Sequence, residues 1–203
     1  VGFTQRQDFG RSTVTARFSP RMRSSGLIRK LNWVGTETYT TNAERTVVEN
    51  RRTFANFGID FNNSDRWDAE YTHDFEYVPA PFQIGRNVFV PTGGYEYDTF
   101  RTYYSLGQQR RLSGQFNVAT GTFYGGRKTD ATYTSGRAAL STRLSVEPGL
   151  TLNWVDLPGG RFRNELATVR VIFTPGPRSL VNSLIQYNQN DRTVSSSVRL
   201  RWE

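Results

Sequence analysis

Between Arg66 and Val78 the chain reads RWDAEYTHDFEYV, and its two interleaved halves differ chemically. Trp67, Ala69, Tyr71, His73, Phe75 and Tyr77 occupy one phase, and Asp68, Glu70, Thr72, Asp74 and Glu76 the other. An extended backbone sends successive side chains to opposite faces, so a strand here separates an aromatic face from an acidic one completely. The chain must therefore fold into a sheet whose two faces meet different surroundings.

The same period recurs along the sequence. Val14, Ala16 and Phe18 oppose Thr13, Thr15 and Arg17; Phe57, Ile59 and Phe61 oppose Asn56, Asp60 and Asn62. Leu112, Phe116 and Val118 oppose Ser113, Gln115 and Asn117; Leu140, Leu144 and Val146 oppose Ser141, Arg143 and Ser145. Leu150, Leu152 and Trp154 oppose Thr151 and Asn153, and Ala167, Val169, Val171 and Phe173 oppose Thr168 and Arg170, with Ile172 as an exception. Val194, Val198, Leu200 and Trp202 oppose Ser195, Ser197, Arg199 and Arg201. Segments 27–40, 95–106 and 180–188 alternate less cleanly. No window holds apolar residues at a sustained helical spacing, and the pattern predicts an all-β chain of about eleven strands.

The predicted links alternate as well. Those near 19–26, 62–66, 107–111, 146–149 and 174–178 are mostly short. Those near 41–46, 77–94, 122–128 and 156–163 are longer or rich in Gly and aromatics, with a long loop at about 77–94; the short link 189–192 breaks the trend. Short turns at one end and longer loops at the other are the pattern of an antiparallel up-and-down transmembrane barrel.

A soluble sandwich also alternates, but it buries the apolar phase and wets the polar one. A membrane barrel inverts this, with apolar side chains toward lipid and polar ones toward the lumen. Strand length separates the two. A tilted strand needs about 9–11 residues to cross a bilayer, whereas sandwich strands run nearer 5–6. Segments 53–62, 66–77, 112–123 and 163–174 reach the membrane length. Aromatics also recur near strand ends, as in interfacial belts.

On this reading Phe18, Phe57, Phe61, Trp67, Tyr71, Phe75, Phe116, Trp154, Phe173 and Trp202 face lipid or its interface. Asp60, Asp68, Glu70, Asp74, Glu76, Arg101, Arg143, Arg170, Arg199 and Arg201 face the lumen, where Arg52 and Arg101 are the cations nearest the acidic strand in sequence. His73 falls in the lipid-facing phase and is expected near an interface or against a loop.

Composition narrows the chemistry. The 203 residues include no cysteine and one histidine, which excludes a disulfide framework, a cysteine-ligated zinc and a multi-histidine metal site. Net charge is +8 with pI near 10.1 and mean hydropathy −0.60. That balance suits an anionic partner such as lipopolysaccharide, but the basic residues are scattered, as on an ordinary solvated surface. No apolar run approaches the roughly 18 residues of a membrane-spanning helix, and no signal peptide is visible. The start at Val1 and a strand pattern still running at Trp202-Glu203 lead us to expect a piece of a longer protein.

Four stretches carry a family resemblance: FYGGRKTD, LTLNWVDLPGGRF, LATVRVIFTPGPRSLVNSLIQYNQNDRTVSSSVRLRWE and FEYVPAPFQIGRNVFVPTGGYEYDTF. In this order they resemble the C-terminal barrel of an uncharacterised family of bacterial outer-membrane proteins. Those proteins carry an N-terminal domain like carbohydrate-binding module family 9. The resemblance spans roughly residues 44 to 203, and SLIQYNQNDRTVSSSVRLRWE is its most specific part. It implies a location in the bacterial outer membrane, with the sugar-binding-like domain and earlier strands upstream and a further hairpin and a terminal strand downstream. An odd count of about eleven strands likewise fits an incomplete part of a larger barrel.

Catalytic signals are weak. There is no GxSxG elbow. The pairs Asp68/Glu70 and Asp74/Glu76 could set carboxylates about 6–7 Å apart, as in inverting glycosidases, but lumen charge explains them more simply. Gly93-Gly94, Gly125-Gly126 and Gly159-Gly160 precede no helix and read as turns. No aromatic-basic platform for nucleic acid appears. The expected role is a channel or docking protein for glycans or other polar solutes, with outer-membrane lipid, lipopolysaccharide and the rest of the full-length protein as partners and no cofactor. The rivals are a barrel-borne hydrolase with lumen or loop carboxylates and a soluble β-rich binding module.

Overall fold

The computed structural model of the chain describes residues 9–46, 48–85 and 88–202. Thirteen strands and no helix are found among these residues. They are β1 Phe9–Phe18, β2 Ile28–Asn42, β3 Val48–Phe61, β4 Arg66–Val78, β5 Phe82–Gly85, β6 Val88–Val90, β7 Gly93–Leu106, β8 Leu112–Phe123, β9 Gly126–Ala139, β10 Leu144–Leu157, β11 Gly160–Gly176, β12 Ser179–Asn188 and β13 Thr193–Trp202. Eleven of them form one sheet in the order β1-β2-β3-β4-β7-β8-β9-β10-β11-β12-β13, and β5 and β6 pair separately. Every pairing is antiparallel between neighbours in that order, so the sheet is a meander. Within the described residues β1 pairs only with β2 and β13 only with β12, leaving two free edges.

The registers carry one apolar phase across the sheet. Phe18 faces Trp33, Trp33 faces Phe57, Trp67 faces Tyr104, Tyr104 faces Phe116 and Phe116 faces Tyr133. Tyr133 faces Leu150, Leu144 faces Phe173, Phe173 faces Val181 and Val181 faces Leu200. Ring contacts link the first of these into a row: Phe18–Trp33 at 5.6 Å, Trp33–Phe57 at 5.2 Å and Phe57–Trp67 at 6.1 Å between centroids.

Burial is inverted relative to a water-soluble sheet. The exposed phase is the apolar one: Trp33 is 39 % exposed, and Tyr71, Phe100, Phe116, Trp154 and Phe173 are all exposed. Apart from Thr41 at the register shift near the end of β2, the buried positions of β2, β3 and β4 lie in the polar phase and include Asn32, Thr40, Asn56, Asp60, Thr72 and Asp68, the last fully buried. On β10 the apolar phase runs from Leu144 to Trp154, interrupted by Pro148. At ~3.3 Å per residue that is about 33 Å of strand, or about 25 Å of height at a tilt of ~40°.

Among the described residues, the one apolar cluster of buried side chains lies on the polar face. The link 79–92 carries the β5–β6 hairpin, whose Val88 packs with Val155 and Leu157 of β10, flanked by Ile84, Phe123, Tyr124 and Phe162. The hairpin leaves the sheet between β4 and β7 yet lands on β10, reaching past β8 and β9. Gly85 permits the approach, because a Cβ there would sit 2.9 Å from the Phe162 ring.

Four sequence expectations need correction. The expected link at 146–149 is the interior of β10: register against β9 shifts between Val146 and Leu150, so Pro148 sits in a bulge where the missing N–H interrupts no regular ladder on that side. Residues 126–139, expected partly as a link, form β9. The sheet thus has eleven strands, the number expected, because one strand, β9, was not expected and two expected strands are one. Arg143 lies in the turn before β10, not on a strand face. Finally, of the links expected to be longer or rich in Gly and aromatics, those near 122–128 and 156–163 are of the second kind and tight: Tyr124-Gly125 has φ of 45° and 76°, the signature of a two-residue hairpin turn. At that end only 79–92 is long.

Candidate functional site

The alternation that fixes the strand phases also assembles a polar site on β2, β3, β4 and β7. Thr36 and Thr38 come from β2, Arg52 and Phe54 from β3, Glu70 and Thr72 from β4, and Thr99 and Arg101 from β7. All are in the polar phase, and registers such as Thr38 to Arg52 and Glu70 to Arg101 bring them side by side. They line a cleft of about 410 Å³.

Its charges are arranged in pairs. Arg101 Nη1 lies 3.9 Å from Glu70, and Arg52 Nε lies 3.2 Å from Asp74. The two cations expected to meet the acidic strand therefore reach it. Toward the 62–65 turn, Arg66 donates to Asp68 through Nε and Nη2, both at 2.6 Å, and stands 3.5 Å from Asp60. Asn56 donates to Asp68 at 3.2 Å and Asn32 to Asp60 at 3.2 Å. Gly58 makes room for this network, since a Cβ there would fall 2.5 Å from Asp68 Oδ1. Toward the other end, Glu76 accepts from the Tyr97 hydroxyl at 2.9 Å and the Tyr124 hydroxyl at 3.0 Å.

Of the other sequence candidates, Arg170 pairs with Glu147 at 3.4 Å on the polar face, and Arg199 and Arg201 lie in the polar phase of edge strand β13 and are exposed. The aromatic candidates share the opposite face with His73, whose Nδ1 lies 2.8 Å from Asp98, a carboxylate that also accepts from Tyr71 at 2.5 Å. Phe75 leans toward Gly94, where a Cβ would meet its ring at 3.0 Å.

A second cluster ties two turns together below the cleft. Asp65 accepts from the Gly107 N–H at 2.8 Å, the Tyr104 hydroxyl at 2.8 Å, Arg110 Nε at 2.9 Å and Nη2 at 2.6 Å, and Asn63 Nδ2 at 3.1 Å. Burial pushes its carboxyl upward, but the Gly107 N–H, the Tyr104 hydroxyl and the Arg110 guanidinium outweigh this and hold it below the ordinary carboxylate value.

Sequence reasoning missed Arg66, Phe54, the threonine ring and the Asp65–Arg110 clamp. Arg66 was findable, because it stands two residues before Asp68 and shares its face. The clamp joins residues 45 apart and left no local signal.

Chemically, the cleft offers hydroxyls, two guanidinium groups, a carboxylate and one ring. It can hydrogen-bond polyhydroxylated or charged solutes. Asp68 is engaged by Arg66 and Asn56 and sealed from solvent, which leaves the Asp68/Glu70 pair unsuited to moving protons. No group of His, Cys, Asp and Glu capable of holding a metal is found among the described residues. No family model, curated protein or solved structure matches this chain.

Proposed function

We propose that the chain is part of a bacterial outer-membrane β-barrel whose polar face lines a wet passage or docking surface for glycans or other polar solutes. One observation carries this: the polar phase of β2, β3 and β4 holds the most buried side chains, Asp68 among them, while large apolar side chains of the opposite phase are exposed across the sheet. In water that arrangement wastes the hydrophobic effect, and against lipid it uses it. The two free edges fit further strands of a longer protein, since an unpaired edge invites pairing. The resemblance in SLIQYNQNDRTVSSSVRLRWE supports the same assignment. In the cleft, the Phe54 ring can stack on the apolar face of a sugar while Arg52, Arg101, Glu70 and the threonines bond its hydroxyls.

The test uses the full-length gene product. Cells are fractionated and the envelope is run on a gel with and without boiling. Recovery in the outer membrane with a heat-dependent mobility shift is expected; a soluble protein with no shift overturns the reading.

A further inference from the structure

We propose that the exposed face of β9, β10 and β11 holds a binding site for the phosphate of a lipid headgroup; this rests on the membrane reading above and adds a specific site to it. The site lies at one border of the apolar phase. Strand register places Thr129, Trp154 and Arg163 in one row across the three strands, and Arg127, Asp156 and Arg161 in the next row outward. Together they line a cleft of about 450 Å³. Leu152 and Leu150 continue the apolar phase from Trp154 in the opposite direction.

The order of chemistries along β10 and its neighbours is therefore leucine, tryptophan, then a charged row in which Arg127 and Arg161 flank Asp156. It matches the order an amphiphile presents: acyl chain, interface, then charged headgroup. Tryptophan favours the headgroup level because its ring is apolar and its N–H polar. Arginine suits phosphate because its planar fork donates two parallel bonds.

The charge balance favours an anion. Arg161 pairs with Asp156 at 2.9 Å and Arg163 with Glu165 at 3.3 Å, yet their side chains remain 82 % and 60 % exposed. Arg127 is exposed and, among the described residues, has no carboxylate within ion-pairing distance, although it stands in register with Asp156. At the comparable border on β2, β3, β4 and β7 the exposed phase instead carries Glu37, Asp98 and Glu96 beside Arg51 and His73. Along this border the cationic excess thus belongs to the β9–β11 stretch and not to the β2–β7 stretch.

The test titrates the full chain, refolded in dodecyl maltoside micelles, with bisphosphorylated lipid A and counts bound lipid by native mass spectrometry. The triple variant R127Q/R161Q/R163Q should weaken retention at least tenfold. R127Q alone, which breaks no ion pair, should weaken it about threefold and carries the test if the triple variant does not fold. R199Q, in the opposite phase on β13, should leave retention unchanged. Dephosphorylated lipid A should bind the wild type as weakly as the triple variant binds the phosphorylated form. Equal retention by wild type and R127Q, or equal binding of both lipids, overturns the site. Displacement by millimolar inorganic phosphate overturns the lipid assignment, leaving a bare anion site. A wild-type chain that takes up neither detergent nor lipid overturns the membrane reading itself, and with it the site.

Discussion

Replacing Asp65 with asparagine tests whether one buried carboxylate holds two turns together. Its Oδ1 accepts from the Gly107 N–H and Arg110 Nε, and its Oδ2 from Tyr104, Asn63 and Arg110 Nη2. A carboxamide keeps one oxygen, so whichever way it turns, its NH2 group faces at least two donors. The less damaging orientation sacrifices the Oδ1 bonds. Gly107 is buried, and its N–H left without an acceptor costs about 1–3 kcal/mol. Arg110 loses its counter-charge, but its side chain is 43 % exposed, so that loss is discounted to about 1 kcal/mol. The sum is about 3 kcal/mol, read as the loss in unfolding free energy from urea titration of the chain refolded in detergent or lipid. A cycle with Arg110→Gln should return a coupling of about 1 kcal/mol. The pH dependence has a fixed sign. A carboxyl held below its unfolded value contributes fully above about pH 4 and loses its contribution as pH falls through the folded value. The gap between wild type and Asp65→Asn should therefore be constant from pH 7 to about 4 and close only below that. A cost under about 1 kcal/mol, or a gap that closes near neutrality, would refute the reasoning.

Three further perturbations follow from the packing. Gly58→Ala drives a methyl group to 2.5 Å from Asp68 Oδ1 and should cost about 1–3 kcal/mol in the same urea titration; a neutral result would mean the Arg66–Asp68 pair is loosely held. Val88→Asp sets a carboxylate against Val155 and Leu157, so proteolysis within 79–92 should accelerate about tenfold while the sheet survives; an unchanged rate rejects the hairpin packing. Arg101→Glu puts like charge opposite Glu70 and should raise cation selectivity of conductance in planar bilayers a few-fold; unchanged selectivity separates the polar face from any solute path.

Strand phase was legible because alternation survives whichever face is buried. Trp67, Tyr71 and Phe75 stand out against Asp68, Glu70 and Asp74 with no tertiary information. What failed was contrast. In GRKTDATYTSGRAA both phases of β9 are small or polar apart from Tyr133, so one aromatic ring is all that marks the apolar side. At Pro148-Gly149 the dipeptide has turn chemistry, and only the registers reveal a bulge inside β10. The β5–β6 hairpin was hidden for another reason: its anchor, Val88 on Val155 and Leu157, depends on the loop reaching past β8 and β9. The cleft was half legible. The Arg101–Glu70 and Arg52–Asp74 contacts follow from charge and proximity, whereas the neighbouring Thr36 and Thr38 arrive through register alone.

The same contrast decides what surroundings the sheet needs. A single exposed leucine or tryptophan is ordinary on a protein surface, but a continuous apolar face is not. Here Val14, Phe18, Trp33, Phe100, Phe116, Leu150, Trp154, Val169, Phe173, Ile185, Val198 and Leu200 are all exposed in one phase of one sheet, and the cluster beneath the hairpin is small by comparison. At ~25 cal/mol per Å² of apolar surface removed from water, covering such a face is worth on the order of tens of kcal/mol, more than a domain's usual net stability of about 5–15 kcal/mol. Something must cover it. Lipid or detergent does so without a partner of matching shape, and the chain should be monodisperse in dodecyl maltoside by light scattering and aggregate when the detergent is diluted below its micellar concentration. A monodisperse monomer in detergent-free buffer would refute this, because the strand faces would then have to pack against each other and the phase now exposed would have to become the core.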